Sequence, residues 1–141
     1  MNTKDIIDEE VIIPEDGNLL QAMFDRQREL MGAYHVIERE NGLLLSDQVP
    51  IDLHDKLGQA RIRELIRRVV EELFEASHTL KNSPWKVSHV LTDEDHFYEE
   101  LSDAWHFFLE LLITVGIDAE DLYRIYYKKA EVNSFRQRSK Y

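Results

Sequence analysis

Cysteine is absent from the 141 residues, which excludes disulfides and thiolate metal sites. Positive charge is scarce. Seventeen Lys and Arg stand against 28 Asp and Glu, for a formal net charge of −11. Phosphate backbones require a basic surface, so this balance argues against a general affinity for nucleic acid. No apolar run reaches the ~18 residues of a membrane span. The first residues, MNTKDIIDEEVIIPEDG, have no basic stretch followed by an apolar one, so they do not read as a signal peptide. There is no strand-like alternation, no repeat of solenoid length and no low-complexity tract. The expectation is a cytoplasmic chain that engages neither membrane nor nucleic acid.

What is present is helical periodicity. Residues 1–17 read as an N-terminal arm, and residues 18–141 as one domain. Asn18 is a fitting N-cap for a first helix carrying Leu20, Met23, Phe24, Gln27, Leu30, Met31 and Tyr34 at helical spacing. Asn41-Gly42 and Pro50 predict a long connection. A second helix is expected from about Gln59 to Leu80, with Leu65, Ile66, Val69, Val70, Leu73, Phe74 and Leu80 turned inward. Thr92 and Asp95 predict the start of a third helix, which closes at Gly116, and Asp118 caps a fourth. The predicted architecture is all-α, an antiparallel bundle of four or more helices.

Within the second helix, Glu72 and Glu75 are three residues apart and share a face. Glu100 and Asp103 repeat that spacing on the third. All four interrupt apolar stripes, where carboxylates are rare unless paired or bound to a metal. Facing one another, they would repel strongly in a low-dielectric setting. Divalent cations would neutralise them, and hard oxygen donors select Mg²⁺ or Mn²⁺. A solvated acidic face is the plain alternative. A second alternative is a di-iron bundle, since His78 follows Glu75 by three and His106 follows Asp103 by three. That layout needs two further acids, for which Glu29 and Glu131 are candidates, and an ordinary hydrogen-bonded role for His106 competes with it. A third is a non-enzymatic interaction module presenting Tyr123, Tyr126 and Tyr127.

Glu71-Glu72-x-x-Glu75 followed by Glu100-x-x-Asp103 resembles the signature of the all-α nucleoside triphosphate pyrophosphohydrolases, the MazG-like and dimeric dUTPase superfamily. SPWK, with Trp85 and Lys86, ELSDAWHFFLEL, and the tail YYKKAEVNSFRQRSKY are similar to elements of the dimeric dUTPase branch. The resemblance implies a MazG-like fold, a homodimer, and hydrolysis of a nucleoside triphosphate to monophosphate and pyrophosphate. It implies Glu72, Glu75, Glu100 and Asp103 as metal ligands, with Glu71, Glu72 and Glu75 in the catalytic group. Lys129, Asn133, Arg136 and Tyr141 would hold phosphates, although Lys and Arg also suit an ordinary helix C-terminus. Gln27 stands where a uracil-reading Gln is expected. Met31 stands where an Asn is expected, and Trp85 or Tyr34 offers an aromatic face. dUTP is therefore the favoured substrate, with a purine nucleotide such as dGTP as the alternative.

Overall fold

The computed structural model describes residues 11–43 and 49–139, so the first ten residues of the expected arm and Tyr141 lie outside the described residues. Four helices account for most of the rest: α1 Leu19–Glu40, α2 Lys56–His78, α3 Glu94–Thr114 and α4 Ala119–Arg138. There is no strand among the described residues. None of the helices there is long and apolar enough to cross a membrane.

The helix starts follow side-chain chemistry. Asn18 accepts from Gln21 N–H, and Asp118 forms a reciprocal capping box with Asp121. Two expectations need correction. α2 begins at Lys56 rather than near Gln59, because Asp55 accepts from Gly58 N–H at 2.8 Å and fixes the first turn there. α3 is capped by Asp93, not Thr92, through His96 N–H. A carboxylate one position later satisfies the free amide equally well.

α2 and α3 form the closely packed pair. Arg61 meets Glu110, Arg68 lies over Phe107, and Glu72 meets Glu100, so the helices run antiparallel. α1 lies across α3 and touches α4. The apolar core joins Phe24 and Met31 of α1 to Leu109, Leu112 and Ile113 of α3 and to Ala119. Phe24 is fully buried, which contributes roughly 1.5–3 kcal/mol. The segment before α2 is tied to the end of α3, where Ile51 N–H donates to Thr114 C=O at 2.9 Å. Gly116 turns the chain there with φ of 86° and lies directly against Pro50.

The inward reading of α2 holds for only part of its stripe. Leu65 is buried and Val69 half-buried, whereas Ile66, Val70, Leu73, Phe74 and Leu80 are 44–60% exposed. Helical geometry explains this: Leu65, Val69, Glu72 and Ala76 face α3, and Ile66, Val70 and Leu73 lie about a quarter-turn round the helix. α4 is similar. Only Ala119 is buried, and Tyr123, Tyr126, Tyr127 and Phe135 are 53–70% exposed.

Candidate metal centre

Three carboxylates from two helices converge where α2 crosses the first half of α3. Glu72, Glu100 and Asp103 each offer an oxygen, and those oxygens lie within 4.8 Å of one another. Glu100 is 8% exposed. One of its oxygens lies 2.9 Å from His96 Nε2, one turn earlier on α3. With both groups ionised, the buried Oε2 atoms of Glu72 and Glu100 have no hydrogen-bond donor. Buried carboxylate oxygens are ordinarily satisfied, and leaving one without a partner costs about 1–3 kcal/mol or more.

The electrostatics match this crowding. Glu72 is pushed up to about 7, first by desolvation, then by a hydrogen bond that its protonated form makes with Glu100, with like-charge repulsion from Glu75, Asp103 and Glu100 adding to it. Asp103 is also raised, by burial first and then by Glu100 and Glu99. A divalent cation would supply the missing partners and relieve the repulsion. An all-oxygen donor set fits Mg²⁺ or Mn²⁺. The residues present fit such an ion.

The other expected residues are distributed around this cluster. Glu75 is exposed and stands outside the three-oxygen group. It lines an adjoining cavity of about 360 Å³ together with His78, Lys81, His96 and Glu100. Glu71 is exposed and ion-paired with Arg67, so it points away from the cluster. Gln27 is buried at 3% exposure, and its Oε1 lies 3.0 Å from His106 Nδ1. Met31 is buried in the apolar core, so it lines no part of the groove that holds Gln27. A thioether one turn beyond Gln27 is drawn to Leu112 and Ile113 rather than to the polar groove.

Trp85 sits in the α2–α3 connection at 79% exposure and does not line that groove. The connection is closed by Asn82, which donates to Val90 C=O and accepts from Val90 N–H. Lys129, Asn133 and Arg136 are exposed on the later part of α4, beyond the first residue, Ala119, that joins the core beside α3. Within one chain they therefore stand apart from the carboxylates. The di-iron set is not assembled: Glu29 is exposed and paired with Arg26, Glu131 is exposed on α4, and His106 bonds to Gln27.

Two further residues flank the cluster on α3. His96 precedes Glu100 by one helical turn, a spacing that signals contact. Glu110 follows Asp103 by seven, on the same stripe of α3, and is 6% exposed. Its partner Arg61, 3.3 Å away on α2, carries no local signal. No family model matches the chain, and comparison with curated proteins and with solved structures finds no similar protein.

Proposed function

We infer that the protein hydrolyses a nucleoside triphosphate to the monophosphate and pyrophosphate in a metal-dependent reaction. One observation carries this reading: two buried carboxylate oxygens that lack a donor when ionised, on Glu72 and Glu100, inside a cluster completed by Asp103. Glu72, Glu100 and Asp103 would hold Mg²⁺, with Mn²⁺ as a substitute. The bound ion supplies charge neutralisation at the phosphate oxygens and lowers the pKa of water.

The chain's own residues would then position the reactants. Glu75 stands at the open edge of the cluster beside the cavity it shares with Lys81. There it completes the acidic rim and can take a proton from an attacking water, while Lys81 offers a cation to the triphosphate. Lys129, Asn133, Arg136 and Tyr141 are the phosphate-binding residues that the resemblance to MazG-like and dimeric dUTPase proteins implies. The same resemblance favours dUTP as substrate, with a purine nucleotide such as dGTP as the alternative. A homodimer belongs to this reading. The exposed apolar residues of α2 and the tyrosines of α4 are surface that a second copy could cover.

The test is pyrophosphate release from a panel of nucleoside triphosphates with Mg²⁺. Turnover of at least one, abolished by EDTA and by Asp103→Asn, is expected. Absence of turnover across the panel with both Mg²⁺ and Mn²⁺ would overturn the assignment.

A further inference from the structure

A second concavity adjoins the carboxylate cluster and shares Asp103 with it. This groove of about 210 Å³ lies between α1 and α3, and its lining includes Gln27, Tyr34, Asp103, His106, Phe107 and Glu110. Glu110 lies seven residues beyond Asp103, about 10 Å along the helix. A molecule with its charged end at the cluster would therefore place its far end between Gln27 and Glu110.

The polar groups at that far end have a defined sense. His106 Nδ1–H donates to Gln27 Oε1 at 3.0 Å, which leaves the Nε2 amide of Gln27, a residue that lines the groove, as a donor. Glu110 is 6% exposed, and its Oε1 accepts from Arg61 Nη2 at 3.3 Å. Among the described residues its Oε2 carries no hydrogen bond. Burial pushes the Glu110 carboxyl up, and the Arg61 guanidinium opposes that shift. The groove thus offers one neutral donor and, beside it, a carboxylate able to accept two hydrogen bonds. Its aromatic surfaces are Phe107, backed by the Arg68 guanidinium 5.7 Å from the ring centroid, and the half-exposed Tyr34.

We propose that this groove reads the Watson–Crick edge of guanine. Gln27 Nε2 donates to O6, and the Glu110 carboxylate accepts from N1–H and the 2-amino group, with Phe107 and Tyr34 against the faces of the ring. The other bases fit this pattern less well. Uracil would satisfy Gln27 with O4 and give N3–H to Glu110, but its O2 would then face a carboxylate oxygen. Adenine and cytosine present an unprotonated ring nitrogen to the carboxylate. A buried acceptor pair rejects such edges because lone pairs face one another unpaired. The proposal rests on the hydrolase reading only for what is attached to the base, and it selects the purine nucleotide over dUTP.

The deciding experiment compares dGTP, dITP, dUTP and dATP as substrates of the wild-type protein with Mg²⁺. In parallel, binding of dGMP, dIMP and dUMP is measured by ligand-observed NMR. dITP retains O6 and N1–H and lacks only the 2-amino group. The expected kcat/KM for dGTP exceeds that for dITP by about tenfold, and that for dUTP by more, as a bidentate contact discriminates. Glu110→Gln should bring the dGTP-to-dITP ratio close to one, with its fold checked by circular dichroism. Equal use of dGTP and dITP, or a preference for dUTP, overturns the guanine assignment while leaving the hydrolase intact. Selective binding of dGMP without hydrolysis of any triphosphate would do the reverse. The wild-type comparisons decide the matter even if the variant fails to fold.

Discussion

Glu72 on α2 and Glu100 on α3 face each other across the helix pair, each with one buried oxygen that has no donor when both groups are ionised. The two residues are 28 positions apart, and Asp103 joins them from the next turn of α3. Such an arrangement is costly unless a cation or a proton occupies it.

Cation binding should therefore stabilise the fold by mass action. A thermal melt with Mg²⁺ or Mn²⁺ is expected to show a raised Tm, and Asp103→Asn should remove that increase. Without metal the same variant should melt at or above the wild-type temperature, because one of the repelling charges is gone. A metal response undiminished in Asp103→Asn would separate Asp103 from the site.

Stability without metal should depend on pH in a specific direction. The folded protein raises Glu72 from 4.5 to about 7 and also raises Asp103, so it holds protons more tightly than the unfolded chain. Their contribution is fully present below the unfolded pKa values. It is lost as pH rises through the folded ones. The metal-free Tm is expected to fall between about pH 4.5 and 7.5 on this account. Saturating Mg²⁺ should flatten that fall, since the ligands must be ionised to bind. Melts across this range with EDTA and with Mg²⁺ check it.

Gly116 should tolerate no side chain. Its φ of 86° is left-handed, and an added Cβ would lie 2.7 Å from the Pro50 Cβ. Gly116→Ala is expected to cost about 1–2 kcal/mol from the backbone alone, and more from the clash. Urea denaturation with an unchanged m-value would register it as lost stability.

Arg61 compensates a buried charge. Its side chain is 24% exposed and that of Glu110 8%. Arg61→Leu should destabilise by on the order of 2–3 kcal/mol, because Glu110 is left without its cation. Replacing both residues by Leu should recover much of that loss. Chemical denaturation of the two single variants and the double variant completes the cycle.

The uncovered stripe of α2 predicts a self-association surface. Leu73→Glu combined with Phe74→Glu should shift sedimentation from dimer to monomer without loss of helicity. A wild-type protein that sediments as a monomer at working concentration would contradict the dimer.

Much of this was legible along the chain. Asn18, Gly116 and Asp118 mark helix ends by interactions within a few residues, so their roles are local. The three-residue spacings place Glu72 beside Glu75 and Glu100 beside Asp103 on single helix faces, whatever the helices pack against. Composition alone excluded disulfides and thiolate sites. Only the tertiary structure decided which edge of each face meets a neighbour. The rotation of α2 against α3 turns Glu72 inward and leaves Glu75 at the rim. The crossing of α1 buries Met31 in the core and sets Gln27 on His106. Arg61 and Glu110, 49 positions apart, meet for the same reason. A helical period fixes angles within one helix, whereas the register between two helices follows from how all their side chains pack together.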